Sequence, residues 1–133
     1  MNVEDKVVEL AKEHFGKNLM CVLLFGSRAR GTARDDSDYD FLIITKKKVE
    51  SPEFWREVFL FETGTGVSID VIVVDEGSLK PTNPLLWGVL TGYRVLYGEK
   101  EWKRLLSKLK RKIKELKPKL VEGASSWEIA QLI

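Results

Sequence analysis

The sequence has little of several residue types that would point to particular classes of protein. It contains one cysteine among 133 residues, Cys21, so no disulfide can form within the chain, as is typical of proteins from a reducing compartment. No apolar run approaches the roughly 20 residues that span a bilayer, and we expect no membrane segment. The first residues are acidic and lack the apolar stretch of a signal peptide. These absences together predict a cytoplasmic protein.

The small net charge of +2 conceals an uneven distribution of charge along the chain. Residues 100–119 contain ten of the 22 lysines and arginines and only two acidic residues, so this segment carries +8 and the rest of the chain −6. A basic helix face is usually solvated, and no base-stacking aromatics interleave the lysines of this segment. Nucleic acid is therefore not the expected partner.

Hydrophobic periodicity, together with the glycine and proline positions, predicts an alternation of helices and strands. Helices are expected at 3–15, 52–63, 85–91 and 100–117, and strands at 19–25, 39–45, 67–74 and 93–97. This order is typical of an α/β (α+β) domain in which helices pack on a small mixed β-sheet. Residues 1–98 form the expected domain. Residues 99–133 are a basic helix and a short tail, which either join the same compact unit or extend it for partner docking.

A polar segment, Gly26-Ser27-Arg28-Ala29-Arg30-Gly31, follows the first predicted strand. Gly26 has no side chain, so the backbone can come close to a bulky ligand there. Ser27 can cap a short helical turn, whose backbone N–H groups form a ready site for phosphate oxygens. Arg28 and Arg30 bring permanent positive charge to the same place. The segment therefore predicts a phosphate-binding turn.

Three aspartates lie on or beside the predicted strands. Asp38 and Asp40 are two residues apart, so their side chains leave the same face of a strand. Carboxylates held that close repel each other unless a cation lies between them, and oxygen ligands suit Mg²⁺ or Mn²⁺. Asp70 lies in an otherwise apolar run, where a carboxylate is costly to bury unless it is paired or bound to metal. A neighbouring strand could bring it beside the pair, or it could be a surface residue of an edge strand.

The spacing of these motifs resembles that of the polymerase beta-like nucleotidyltransferases. A Gly-Ser pair, a ten-residue gap and Asp38-x-Asp40 on a strand make up the similar signature. The fuller form, residues 26–31 followed by Ser37-Asp38-Tyr39-Asp40, resembles the minimal nucleotidyltransferases. These are small prokaryotic proteins, and many of them are antitoxins paired with HEPN-domain toxins. The resemblance covers about residues 20–98.

The resemblance implies a nucleotidyltransferase fold and a role for each residue of the motif. Gly26 and Ser27 would hold the triphosphate. Asp38 and Asp40 would bind Mg²⁺ or Mn²⁺, with Asp70 as the third carboxylate at the metal and the general base. The expected substrate is ATP or another nucleoside triphosphate, and the expected acceptor is a hydroxyl group, on a partner protein such as a HEPN toxin.

Each feature also has an ordinary structural explanation. A Gly-Ser turn is usually only a turn and an Asp-x-Asp strand start a solvated edge, so the motif gains its weight from the combined spacing. Such domains can degenerate into binding modules, and a non-catalytic antitoxin that neutralises a partner by direct binding is the alternative function. Transfer to a small molecule such as an aminoglycoside is less favoured, because no substrate-binding domain accompanies the motif. The oligomeric state is open, with a homo-oligomer among the alternatives.

Apolar residues outside the motif are expected to build the core. Trp55, Trp87 and Trp102 are expected there and not at a base-stacking site. The sole histidine, His14, is expected to be structural. The basic helix carries an apolar stripe, which could bind a partner, at Leu105, Leu109, Ile113, Leu116 and Leu120.

Residues 100–133 are predicted to serve assembly or partner docking and not catalysis. After Gly123, a capping box at residues 125–128 starts a short final helix, Trp127 to Ile133. A helix of that length is marginal alone in water, so its apolar residues need a surface to pack on. Deleting residues 122–133 is expected to leave ATP and metal binding intact while weakening self-association or partner binding, as measured by calorimetry and light scattering. A truncated chain that loses metal-dependent ATP binding but keeps its oligomeric state would contradict this prediction.

Overall fold

The computed structural model describes residues 2–116, and the predicted tail helix at residues 127–133 lies outside them. The helices are α1 (Val3–Phe15), α2 (Ser27–Arg30), α3 (Pro52–Thr65), α4 (Pro84–Leu90) and α5 (Glu99–Leu116), and the strands are β1 (Leu19–Phe25), β2 (Tyr39–Thr45), β3 (Ile69–Asp75) and β4 (Tyr93–Tyr97). Short 3₁₀ turns at Gly16–Asn18 and Glu76–Ser78 follow α1 and β3. Every helix and strand predicted within residues 2–116 is present, with its ends within two residues of the prediction.

The four strands form one mixed sheet in the order β3-β2-β1-β4. β1 runs antiparallel to both β2 and β4, whereas β2 and β3 are parallel and are joined by a crossover through α3. The predicted α/β class with a mixed sheet is therefore confirmed. β3 begins at Ile69, two residues later than predicted, because β2 offers it a pairing partner only from Tyr39 onward.

Alternating side chains divide the sheet between two apolar cores. On one face, α1 and α3 pack against residues such as Val22 and Ile43. On the other face, α4 and α5 pack against residues such as Leu23 and Leu42. Consecutive residues of a strand thus face opposite layers, as its period of two requires. The two central strands are covered on both faces, which explains why their sequences are continuous apolar runs.

Cys21 lies in β1 on the α5 side of the sheet and is fully buried, as expected for a small apolar residue. Burial, reinforced by the negative charges of Glu101 and Glu76, raises the pKa of its thiol to about 12. The thiol therefore stays protonated at neutral pH and does not act as a nucleophile.

The apolar stripe of α5 packs on the sheet of the same chain. Trp102, Leu105, Leu109 and Ile113 are each 1–2% exposed and share a core with residues of β1 and β2. The expectation that this stripe binds a partner is wrong for Leu105, Leu109 and Ile113, because the sheet already covers them. The side chain of Leu116 and the whole of Leu120 lie outside the part of the chain that the structure describes. The basic side chains of α5 remain exposed. Among residues 2–116, no helix combines the length and the apolar character needed to cross a bilayer.

Two of the three tryptophans expected in the core are exposed instead. Trp102 is buried, but Trp55 on α3 and Trp87 on α4 are 44% and 40% exposed. α3 packs on the sheet through Phe54 and Val58, which lie on a different side of the helix from Trp55. A helix that packs through one side leaves the other side to solvent, whichever residue stands there.

Gly98 joins β4 to α5 at a position where a larger residue does not fit. Its φ is +80°, in the left-handed region, and a Cβ there would lie 2.9 Å from the Cα of Cys21 and would collide with the carbonyl oxygen of Met20. The backbone of β1 and the start of α5 can therefore touch. The N–H of Trp102 then donates to the Gly98 carbonyl oxygen at 2.9 Å in the first turn of the helix.

Gly98→Ala is expected to destabilise the protein more than Gly66→Ala, which is the matched control. Gly66 also has a positive φ, +75°, but a Cβ there would meet nothing within 4 Å. The control should lose about 1–2 kcal/mol of unfolding free energy from backbone strain. Gly98→Ala should lose a further ~1–3 kcal/mol from overpacking. Urea unfolding followed by circular dichroism measures both losses, and equal losses would show that the contact at Gly98 relaxes without cost.

Candidate functional site

One row of paired residues crosses all four strands at the same end of the sheet. Asp70 on β3 pairs with Asp40 on β2. Asp40 pairs in turn with Phe25 on β1, and Phe25 pairs with Tyr93 on β4. Phe25 and Tyr93 pack against the core formed by α4 and α5, so the side chains of this row face that layer. The acidic residues and the turn that follows Phe25 therefore meet at one end of the sheet.

The three aspartates lie at this end of the sheet. Asp40 and Asp70 are register partners on neighbouring strands, and such strands run about 4.8 Å apart. Asp38 lies in the loop directly before β2, and its negative charge acts on the Asp40 carboxyl. Asp40 is half-buried, whereas Asp38 and Asp70 are exposed. Asp70 is thus both a surface residue of an edge strand and a neighbour of the acidic pair, the two positions that its sequence context allowed.

Negative charge dominates the electrostatics around Asp40. Burial, followed by the carboxylates of Asp70 and Asp38, raises the pKa of the Asp40 carboxyl above its ordinary value. The positive charge of Arg30 acts in the opposite direction. Three neighbouring carboxylates with one arginine to offset them favour a bound cation, and their all-oxygen donor set suits Mg²⁺ or Mn²⁺.

The oxygens of the three aspartates are spread more widely than those of a closed metal site. Within residues 2–116, the acidic and histidine ligand atoms that do lie within 4.8 Å of one another belong to Glu13, His14 and Glu57. That group bridges α1 and α3, and His14 Nε2 lies 2.9 Å from Glu57 Oε2. It includes a nitrogen donor and lies in the opposite helical layer. Like charges repel without a cation, and Mg²⁺ prefers oxygen ligands. The aspartates are therefore a better candidate for a Mg²⁺ site than the group that contains His14.

Gly26 follows β1 and opens the turn into α2 directly against Asp40. Its φ is +76°, and a Cβ there would lie 3.3 Å from the Cγ of Asp40 and would collide with its Oδ2. The sequence suggested Ser27 as the cap of this helix. In the structure Gly26 occupies the N-cap position, and Ser27 is the first residue of α2. The N–H groups of Ser27 and Arg28 donate no backbone hydrogen bond to another described residue. They are available to phosphate oxygens beside the carboxylates.

Arg30 acts on the carboxylate side of the site. Its side chain packs over Gly92, where a Cβ would lie 3.1 Å from the Cδ of Arg30. Gly92 connects α4 to β4, and its lack of a side chain leaves the room that the arginine occupies. Since Arg30 also lowers the pKa of Asp40, its guanidinium is a positive group within electrostatic reach of the carboxylates.

Arg28 turns the other way, although the sequence predicted that both arginines would lie near the triphosphate. Its Nη2 donates to the carbonyl oxygens of Ser37 at 2.9 Å and Asp35 at 3.2 Å, and its guanidinium carbon lies 4.2 Å from the centre of the Tyr39 ring. Tyr39 packs with the core formed by α1 and α3, on the opposite side of β2 from the aspartates. Residues two apart on a helix do not share a side, which separates Arg28 from Arg30.

Two residues of this region were given no role from the sequence. Tyr39 stands in the middle of the Asp-x-Asp motif, and strand alternation alone would have placed its ring opposite Asp40. Gly92 lies outside the motif. No local signal connects Gly92 with Arg30, because the two residues are far apart in the sequence and meet only when β4 pairs with β1.

Comparison with known families finds one that matches most of the chain. A family described as "Polymerase beta, Nucleotidyltransferase" matches residues 5–102, which include the motif and all three aspartates. A protein of Methanocaldococcus jannaschii named "Putative protein adenylyltransferase" is 36% identical over 140 residues. That similarity covers 99% of this chain and 95% of the relative, so it extends beyond the motif to the C-terminal residues.

Two solved structures share the fold. A crystal structure of a toxin–antitoxin with AMP-PNP has a TM-score of 0.65 at 22% identity, with 90% of this chain and 93% of that chain covered. A structure of a tri-AMPylated Shewanella oneidensis HEPN toxin in complex with MNT antitoxin has a TM-score of 0.57 at 19% identity, with 94% and 92% covered. At these identities the likeness shows the fold, and the expected nucleotidyltransferase fold is confirmed.

Asp40→Asn is expected to raise the melting temperature of the metal-free protein at about pH 8, and the gain should shrink toward about pH 4. The pKa of the Asp40 carboxyl is higher in the folded than in the unfolded chain, so its ionisation opposes folding at high pH. This penalty disappears at low pH, where the carboxyl is protonated in both states. Asp36→Asn, at an exposed loop position, is the control for loss of one charge. Thermal unfolding at several pH values measures the effect, and a gain independent of pH would contradict it.

Proposed function

Because the chain belongs to the polymerase beta family of nucleotidyltransferases, we propose that it transfers AMP from ATP to a hydroxyl group of a partner protein. The observation that carries the proposal is the pairing of Asp40 with Asp70 directly beside the Gly26 turn. An acidic face and a phosphate-binding turn thus share one end of the sheet. Similarity over nearly the full length to a relative named as a protein adenylyltransferase supports a protein as the acceptor.

Asp38, Asp40 and Asp70 are the proposed ligands of divalent Mg²⁺ or Mn²⁺ ions. When bound, the ions supply positive charge that polarises the α-phosphate and neutralises the leaving pyrophosphate. The raised pKa of Asp40 is consistent with this assignment, because burial and, after it, the negative charges of Asp70 and Asp38 raise the pKa, and a bound cation would relieve that repulsion. Asp40, as the half-buried member, is the best held of the three, since β1 and β3 flank it on both sides.

The triphosphate is proposed to lie across the turn between β1 and α2. The backbone N–H groups of Ser27 and Arg28 would donate to phosphate oxygens, and the missing side chain of Gly26 lets the phosphates approach the carboxylates. The hydroxyl of Ser27 would add a further donor. Arg30 supplies the charge-assisted contact, because its guanidinium acts on the same side as Asp40.

Asp70 is the proposed general base of the transfer. Its carboxylate is exposed on an edge strand, where a hydroxyl group of a partner protein can reach it. Asp70 accepts the hydroxyl proton as the acceptor oxygen bonds to the α-phosphorus of ATP. The bond between that phosphorus and the bridging oxygen breaks, and pyrophosphate leaves with the electron pair.

A HEPN-type toxin is the proposed acceptor protein, and the cytoplasm, where ATP is abundant, is the proposed location. The motif at residues 26–40 and the fold shared with a toxin–antitoxin structure support this pairing. The alternative is neutralisation by binding alone. The retained carboxylates favour catalysis, because a module that only binds gains nothing from three acidic groups that repel one another.

Transfer is expected to depend on the acidic residues. Incubation with Mg²⁺, a HEPN-domain toxin and ATP labelled with ³²P at the α-phosphate should label the toxin, whereas a γ-phosphate label should not be incorporated. Asp38→Asn and Asp40→Asn should abolish labelling without unfolding the protein, because each removes a metal ligand while relieving repulsion. Asp36→Asn, on an exposed loop position nearby, is the matched control and should retain labelling.

Two outcomes would count against the proposal. If Asp38→Asn or Asp40→Asn labels the toxin at the wild-type rate, the substituted aspartate is not a metal ligand that the transfer requires. A stable complex between the wild-type chain and the toxin, with no α-phosphate label in either protein, would support the binding-only alternative.

A further inference from the structure

We infer that Arg28 is a positioning residue, which holds Asp38 in place from the far side of β2 and does not contact the triphosphate through its side chain. The inference rests on the proposed function, because it assigns a role within the same site. It differs from the sequence-based expectation, in which Arg28 and Arg30 bind phosphate together.

The contacts of Arg28 bracket Asp38 in the sequence. Its Nη2 donates to the carbonyl oxygen of Ser37, the residue before Asp38, at 2.9 Å. Its guanidinium carbon lies 4.2 Å from the ring centre of Tyr39, the residue after Asp38. A second hydrogen bond, of 3.2 Å, reaches the carbonyl oxygen of Asp35 further back in the loop. One side chain therefore contacts the backbone before the aspartate and the side chain of the residue after it.

The loop at residues 31–38 needs such a contact because it has no regular secondary structure. Within the loop, the Ser37 hydroxyl accepts from the Arg34 N–H at 2.8 Å, and the Ser37 N–H donates to the Arg34 carbonyl at 3.0 Å. These bonds shape a turn but do not attach it to the rest of the fold. The Arg28 side chain attaches the end of the loop, just before β2 begins, to α2.

The position of the guanidinium argues against a direct phosphate contact. Tyr39, on which it stacks, belongs to the face of β2 that packs with α1 and α3, whereas Asp40 and Asp70 face α4 and α5. The Nη2 donor is already committed to two carbonyl oxygens. Its Nε is buried without an acceptor among the described residues, which is unfavourable. The carbonyl contacts and the aromatic stack are thus what hold the side chain in place.

The contact set also requires arginine in particular. A planar guanidinium can stack on an aromatic ring and donate to two acceptors at once, whereas a lysine ammonium keeps only the charge. Arg28→Lys therefore separates the two roles. A residue that supplies charge to a phosphate would be replaced in part by lysine, and a residue that positions a loop through its planar group would not.

Binding of AMP-PNP to the full chain, measured by calorimetry at several Mg²⁺ concentrations, tests the inference. A wild-type chain that binds no AMP-PNP in the presence of Mg²⁺ would contradict the proposed function itself. With binding established, Arg28→Gln and Arg28→Lys should each raise the Mg²⁺ concentration needed for half-maximal binding about 10-fold, the lower end of the effect of losing support behind a metal ligand. Affinity for AMP-PNP at saturating Mg²⁺ should stay unchanged.

Two comparison variants sharpen the result. Arg30→Gln should weaken AMP-PNP binding even at saturating Mg²⁺, because it removes a proposed phosphate contact. Arg34→Gln removes the same charge from an exposed position of the loop and should change neither quantity. Arg28→Gln that behaves like Arg30→Gln, with recovery in Arg28→Lys, would overturn the inference in favour of a phosphate contact. If Arg28→Gln, like Arg34→Gln, changes neither the Mg²⁺ requirement nor the AMP-PNP affinity, the inference is overturned and Arg28 has no role in the site.

A measurement on the wild-type chain covers the case in which the Arg28 variants do not fold, as judged by circular dichroism. In ¹⁵N-labelled protein, the guanidinium signals of Arg28 should show hindered rotation before nucleotide is added and should shift little on addition of Mg²⁺ and AMP-PNP. The Arg30 signals should shift. A nucleotide-dependent shift of Arg28 as large as that of Arg30 would overturn the inference.

Discussion

The pairing of β2 with β3 is the constraint on which the rest of this structure depends, because it holds like charges together. Asp40 and Asp70 are direct partners in the parallel ladder, and their side chains leave the sheet on the same face. On the opposite face, Phe41 and Ile69 are buried against α1 and α3. A slip of one residue would turn Asp70 toward the apolar layer and expose Ile69. Burial of the apolar residues therefore maintains the register against the repulsion of the carboxylates.

The two faces of β2 meet different groups. Asp40 is on the face toward α4 and α5, with the Gly26 turn against it and the positive charge of Arg30 acting on it. The opposite face carries the Tyr39 ring and the guanidinium stacked on it. Charged groups that would meet a nucleotide are thus separated by one strand from a group that meets only backbone and an aromatic ring. Because of this separation, the contacts of Arg28 with the loop and with Tyr39 would not compete with the proposed nucleotide.

The C-terminal helix contributes to this arrangement through packing. α5 buries Trp102, Leu105, Leu109 and Ile113 on the sheet. Its start is fixed where Gly98 touches β1, and Trp102 meets Tyr93, a member of the row that contains Asp40, with ring centres 5.4 Å apart. The basic residues of α5 stay at the surface, where they add charge but no core contacts. The helix is thereby part of the body that supports the site.

The sequence by itself determined the helices and strands, the mixed α/β class and the acidic and glycine motifs, because these depend on local periodicity and on short spacings. Only the tertiary structure decided which distant residues meet. The pairing of β3 with β2 brings Asp70 beside Asp40, and the pairing of β4 with β1 brings Gly92 under Arg30. The structure also decided that Leu105, Leu109 and Ile113 of the α5 stripe are covered and that Arg28 turns toward Tyr39. Such outcomes depend on the order of the strands and on which of several possible partners a side chain contacts. The spacing of neighbouring residues in the sequence predicts neither.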